Sequence, residues 1–218
     1  MKNILFLVLS LLVVVNTVEA QNVERKFRSL KLAGQEVLER QTITDANAST
    51  TATILSAQAT SASVVTTVSS FLAQPDVPRN LKITPGGTTA DVAAGSVTVT
   101  GTNFFSNSIS ESFTFGANAT DPTTGSKAFK SVTSIVFHVQ DGASATFSVG
   151  VGDDLGLKRC MEGDFVSMTT ASSTYETTRP SVSYATSAVE SNTIDPNSVL
   201  DGTGDIDVFF VQSFTCFP

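Results

Sequence analysis

The chain has 218 residues with 41% apolar and only 15% charged side chains, no Trp, two Tyr, fifteen Phe and one His. One imidazole excludes a two- or three-histidine metal site within one chain and leaves His138 as the sole base for a Ser-His-Asp arrangement. A net charge of −7 argues against a nucleic-acid surface, where basic groups supply most of the affinity.

Residues 1–20 carry Lys2, an apolar run from Ile4 to Val15, and a Val18-Glu19-Ala20 close with the character of a signal-peptidase site. The run is shorter than the ~20 residues a membrane-spanning helix needs. The expectation is a cleaved leader with Gln21 as the mature start, the alternative being a misread start. After cleavage no membrane segment is expected.

Residues 21–70 read as an arm. In 21–45, Val23, Phe27, Leu30, Ala33, Val37 and Leu38 recur at three- and four-residue spacing, predicting a short amphipathic helix weakened by Gly34. Arg25, Lys26, Arg28 and Lys31 flank the stripe. The partner-binding candidates are Arg25, Lys26, Phe27, Arg28, Leu30, Lys31, Val37 and Leu38. Residues 46–70 are dominated by Ala, Ser and Thr and read as an extended spacer or a lightly packed strand pair.

From Phe71 to residue 218 the pattern is β. Pro75 and Pro78 exclude a helix ahead of Leu81-Lys82-Ile83-Thr84, and Pro85-Gly86-Gly87 signals a turn. Ser96–Thr100 alternates with Val97 and Val99 on one face. Ile109–Phe115 places Ile109, Phe113 and Phe115 inward, and Gly101–Ser108 suits a hairpin loop between the two. Ala128–Val139 and Ala145–Val151 flank Asp141-Gly142, a hairpin signal. Further strands are expected at Phe165–Thr169, Ser181–Thr186 and Ile206–Gln212. Short strands separated by turn residues predict an all-β fold, an antiparallel β-sandwich or jelly-roll-like domain. Residues 84–218 hold 14 acidic and 5 basic side chains, whereas 21–83 hold 5 and 7, a layout suited to docking between subunits.

The candidates for chemistry are few. His138 lies in a strand and reads as a surface residue. Gly150-Val151-Gly152-Asp153-Asp154-Leu155-Gly156 lacks dinucleotide-loop spacing and reads as a bulge or turn. Asp201, Asp205 and Asp207 offer carboxylates suited to Ca²⁺ but without EF-hand order, and Asp153 and Asp154 join only if the fold brings them near. Asn47-Ala48-Ser49 and Asn118-Ala119-Thr120 match the glycosylation sequon. Cys160 and Cys216 form one disulfide in an oxidising compartment or remain two thiols in a reducing one. No catalytic constellation, cofactor site or metal site emerges, so the reading is a non-enzyme.

Several stretches resemble a β domain of tailed-bacteriophage virion structural proteins. They are Gln74–Thr84 (QPDVPRNLKIT), Gly95–Asn103 (GSVTVTGTN), Ile109–Phe115, Thr124–Phe137 (TGSKAFKSVTSIVF), Ser148–Leu157 (SVGVGDDLGL) and Glu190–Val211 (ESNTIDPNSVLDGTGDIDVFFV). The resemblance spans about residues 71–211. It implies an accessory virion subunit (head decoration, head fibre or tail-associated), docking on a capsid or tail lattice and forming a homo-oligomer. The leader and the Cys160/Cys216 pair depart from this pattern. They point to the alternative, a secreted cell-surface β-sandwich module that binds glycan or protein.

Overall fold

The computed structural model describes residues 37–169, 174–213 and 216. Thirteen strands follow in chain order: β1 (Val37–Thr44), β2 (Leu55–Ala59), β3 (Thr66–Val68), β4 (Arg79–Gly87), β5 (Gly95–Thr102), β6 (Ser108–Phe115), β7 (Thr123–Thr124), β8 (Ser131–Phe137), β9 (Ala145–Gly156), β10 (Met161–Met168), β11 (Ser181–Ser183), β12 (Thr193–Asp195) and β13 (Asp205–Gln212). Helix among the described residues is confined to two 3-10 turns, Thr89–Asp91 and Val189–Ser191. Every strand pair among the described residues is antiparallel. The expected all-β antiparallel sandwich is the fold the chain adopts.

Three sheets form. Sheet A is ordered β1-β13-β10, sheet B β11-β12-β9-β4-β7 with β2 also on β9, and sheet C β3-β8-β5-β6. The twelve-residue β9 is the spine. β4 lies along one side of it, while β2 pairs with its first half and β12 with its end. Two apolar cores follow. Leu81, Ile83, Phe147 and Val149 of sheet B pack against Val97, Val99, Phe113, Ile135 and Phe137 of sheet C. Leu155 and Ile194 pack with Ile43, Met161, Val166, Ile206, Val208 and Phe210 around sheet A.

Strand alternation holds where side chains decide it. Ile109, Phe113 and Phe115 are buried, as are Val97 and Val99, while Ser110, Ser112 and Thr114 face out. Asn103 shapes the β5–β6 loop, its side-chain oxygen accepting from the amides of Phe105 at 3.0 Å and Asn107 at 3.1 Å.

The arm differs from its expectation. Residues 1–36 lie outside the described residues, and with them the leader and Arg25, Lys26, Phe27, Arg28, Leu30 and Lys31 of the helical stripe. Val37 and Leu38, expected on that helix, open β1 and pair with Gln212 and Val211. Nor is 46–70 a spacer set apart from a body beginning at 71. Amides of Thr50, Ile54 and Thr60 donate to carbonyls of Val151, Val149 and Ala145, binding the segment along β9. Small side chains allow this close backbone approach, and ladder hydrogen bonds need no large side chain to form. Ile54 and Leu55 supply the core contacts.

Two turn signals also take other roles. Pro85-Gly86-Gly87 continues β4 opposite Phe147, Thr146 and Ala145. Pro is tolerated there because β7 pairs only with Lys82 and Ile83, so no ladder bond is lost on that side. Gly87, at φ 76, ends the strand where a Cβ would overlap the Ser144 carbonyl. Asp141-Gly142 does turn the chain, but β8 belongs to sheet C and β9 to sheet B, so the turn arches between sheets instead of closing a hairpin. Asp91 secures the arch: its carbonyl accepts from Asp141 at 3.0 Å, and its carboxylate accepts from the Ser144 amide at 2.8 Å.

Candidate functional site

The outer face of sheet A is built by strand alternation. Gln41, Ile43, Ile206, Val208, Phe210, Val166 and Met168 point into the second core. The residues between them therefore share the opposite face. Register places Leu38 beside Val211, Arg40 beside Phe209, Thr42 beside Asp207, and Ser167 on the other side of Phe209. Tyr175, bridged to Thr169, lays its ring 6.3 Å from that of Phe209 and is 60% exposed. Phe165, at a bulge between Met161 and Val166, is 55% exposed. The result is an outward row of Leu38, Val211, Phe209 and Tyr175 with Phe165 near its end.

A polar strip crosses this row. Arg40 donates to both oxygens of Asp207 at 3.0 and 2.6 Å, and the Thr42 hydroxyl donates to the same carboxylate at 2.7 Å. These bonds hold the Asp207 carboxyl below its ordinary range and raise Arg40. Lys158 bridges the β1 margin, donating to the Arg40 carbonyl and pairing with Glu39, each at 2.8 Å.

A second feature is acidic. Asp153 and Asp195 line a cleft of about 240 Å³ with Ala48 and residues 196–200. Burial, reinforced by Asp195 and Asp153, pushes neighbouring Asp154 up to about 6. Burial with Asp153 and Glu176 raises Asp195 likewise. Among the described residues no group of three or more His, Cys, Asp or Glu side chains is arranged to hold a metal ion. The Asp201, Asp205 and Asp207 set does not converge, since Asp201 accepts from the amide and hydroxyl of Thr203 while Asp207 holds Arg40.

His138 is a structural clamp. Its Nδ1 lies 3.2 Å from the Ser96 carbonyl and its Nε2 3.0 Å from that of Ala93, with Phe147 against the ring. In the glycine-rich stretch, Gly152 makes room for the Asn80 side chain, which a Cβ there would overlap. Both sequon asparagines are exposed; Asn47 donates from its amide and side chain to Asp76 at 2.7 and 3.0 Å. Cys160 and Cys216 form a buried disulfide with Cα atoms 5.5 Å apart, packed with Val189, Phe104 and Phe105.

Of the partner-binding candidates, the structure brings Leu38 to the outer row of sheet A, with Val37 beside it in β1. Phe165, Tyr175 and Phe209 were not read as a surface from the sequence. The uninterrupted run Val208-Phe209-Phe210-Val211 is the signal for Phe209, because apolar residues on both faces of a strand mark one covered on both sides, whereas nothing comparable surrounds Phe165 or Tyr175. No described helix is long and apolar enough to cross a membrane. Comparison of the chain with protein-family models, curated proteins and solved structures finds no match.

Proposed function

We propose that this chain is a non-enzymatic structural subunit, an accessory or decoration protein of a virion that docks on a capsid or tail lattice. The observation that carries the reading is the outward apolar row of sheet A. It lies at the end of the sandwich where the basic N-terminal segment joins β1. Half-buried Leu38, Phe209 and Val211, extended by exposed Phe165 and Tyr175, form an apolar patch of the kind that marks protein interaction surfaces. The described polar side chains of greatest interest for chemistry, His138, Asp201 and Asp207, are engaged in structural bonds. The resemblance of residues 71–211 to phage virion domains supplies the class of partner, and a lattice of repeated subunits suits a homo-oligomer.

Mass spectrometry of gradient-purified particles tests this, reading both abundance and first residue. The expected result is the protein in fixed ratio to the capsid protein. A second reading, an exported glycan- or protein-binding module, is favoured by the buried Cys160–Cys216 disulfide, which suits an oxidising compartment. Absence from particles together with a Gln21-initiated product in the medium or periplasm would replace the first reading with the second.

A further inference from the structure

We infer that the free edge of β1 is a strand-addition site for an extended, uncharged segment of a partner protein with apolar side chains at alternate positions. The site lies beside the outer face of sheet A and leaves that face open, so it adds to the docking reading without competing with it. Hydrogen-bond parity defines the edge. The Asp45 amide donates to the Gly204 carbonyl at 3.2 Å, one step beyond the Thr44–Asp205 pair. The odd-numbered residues of β1 therefore direct their main-chain groups to β13, and the even-numbered residues direct theirs away. Of these outward groups the Arg40 carbonyl accepts from Lys158 Nζ at 2.8 Å. Among the described residues β1 has no strand on that side, and the amides and carbonyls of Thr42 and Thr44 have no partner.

The unpaired edge opens on a cleft of about 350 Å³, which residues 41–44 of β1 share with half-buried Val77, Pro78 and Phe104. A row of unpaired main-chain donors and acceptors is a template for another strand, and proteins commonly blunt such edges with lysine or proline. Here Lys158 protects one position only. The next two outward positions, Thr42 and Thr44, lie along the cleft and carry neither device.

The cleft also selects the occupant. A segment paired with Thr42 and Thr44 turns alternate side chains outward beside those threonines and inward beside Ile43, where Val77 and Phe104 line the cleft. Inward positions therefore take apolar groups. Charge gives the same answer, because the ionic side chains of the cleft are already paired, Asp76 with Arg79 at 3.1 Å and Lys158 with Glu39 at 2.8 Å. An ionised inward group would be buried without a counter-charge. A second copy fits less well: its own β1 lies in the same recess, and two recessed edges cannot meet, whereas a segment free of any sheet can enter.

Recognition through main-chain groups and alternation is tested with a capped Thr-Val-Thr-Val-Thr peptide, titrated into the full chain and followed by amide NMR shifts and hydrogen exchange. The expected result is saturable shifts centred on Thr42 and Thr44, with several-fold slower exchange of those two amides. The same peptide with Asp in place of its valines should not bind. Thr44→Pro removes an outward amide while sparing the β13 ladder, so it should abolish binding and keep the β13 amides protected. No binding overturns the proposal, as do shifts centred on another edge, equal binding of the Asp peptide, or binding that survives Thr44→Pro. Thr42 and Thr44 amides already protected in the free protein also overturn it: protection independent of concentration would assign the edge to the chain itself, and protection that grows with concentration to a second copy. If Thr44→Pro does not fold, the shift map and the Asp peptide decide on the unaltered chain. Particle composition is read separately, so failure here and failure of the virion role are distinguishable.

Discussion

The Arg79 guanidinium donates from Nε to the carbonyl of Gly152 at 2.8 Å, tying β4 to β9 between the two apolar cores. Nη2 reaches the same carbonyl, and Nη1 donates to the Asn47 carbonyl at 2.8 Å and to Asp76 at 3.1 Å. Arg79 is 0% exposed. The register of β4 on β9 shifts at this point, between Arg79 and Leu81, which opens the β9 carbonyl to a side-chain donor. One side chain thus joins the spine to the segment that follows β1.

Replacing Arg79 removes the donors to two carbonyls and leaves Asp76 without its cation. Arg79→Met should lower unfolding free energy by about 3–5 kcal/mol, the range for breaking a buried pair from one side. Arg79→Lys should recover little, because one ammonium cannot reproduce the planar fork. Urea unfolding measures both, and a loss below about 1 kcal/mol for Arg79→Met would refute the junction role.

The acidic cleft gives the protein a distinctive pH response. Asp154 has an ordinary value of 3.8 and is pushed up to about 6 in the fold, so between these values the folded chain holds a proton that the unfolded chain releases. Stability should therefore fall as pH rises from about 4 to 6 and level off above, with Asp195 adding in the same direction. Asp76 works oppositely. Burial pushes it up, but the Asn47 amide and Arg79 outweigh that and hold it low, so its contribution is lost only on further acidification. Asp154→Asn keeps an acceptor for Asn80 and should make the decline shallower, leaving the Asp195 contribution, and stabilise the protein at neutral pH by on the order of 1 kcal/mol once solvent screening is discounted. Thermal melts across this range check it, and equal slopes for both proteins would be incompatible with the assignment.

Strand positions were legible where period-two alternation met one solvated face, as in Ile109–Phe115. The sequence was least informative where backbone, not side chain, makes the structure. The Ala/Ser/Thr-rich run 46–70 carries few large apolar groups, yet Thr50, Ile54 and Thr60 are bonded along β9. Asp141-Gly142 marked a turn correctly, but a local signal cannot say whether the strands it joins pair or part to different sheets. Arg79 looked like any charged residue beside Asn80, since its burial depends on carbonyls at positions 47 and 152. The candidate surface was hidden in the same way, because Phe165 is set beside β13 only by the pairing of β10, and Tyr175 reaches Phe209 only through its bridge to Thr169.

Phe147 is the centre of the first core. Its ring lies 5.5 Å from Phe115 and 5.4 Å from Phe137, with Ala145 and Val149 on the same strand also buried. Phe147→Ala should cost about 3–5 kcal/mol by loss of transfer free energy and a cavity that its sheet-bound neighbours cannot close. Calorimetry should show a lowered midpoint in a single transition if the two cores unfold together. Two resolved transitions would instead show that sheet A and its core stand independently of sheet C.

The Cys160–Cys216 link joins residues 56 apart, yet in the folded chain it adds little that the ladder has not already fixed. Met161 pairs with Gln212, and the Ser213 amide donates to the Cys160 carbonyl at 2.8 Å, so the two chain ends are held together beside the disulfide by backbone bonds. Its main effect therefore falls on the unfolded chain, where closing a loop of this length removes conformations worth ~3–4 kcal/mol in the chain-entropy account. Cys160→Ala with Cys216→Ala should lower unfolding free energy by about that amount while amide exchange in β10 and β13 keeps its folded pattern. Exposing the native protein to reductant should act slowly, because Cys160 is buried under Val189, Phe104 and Phe105 and a thiolate reaches it only on opening. If the double variant loses protection in β10 and β13 while still folded elsewhere, the bond is holding sheet A together directly and the entropic account is wrong for this protein.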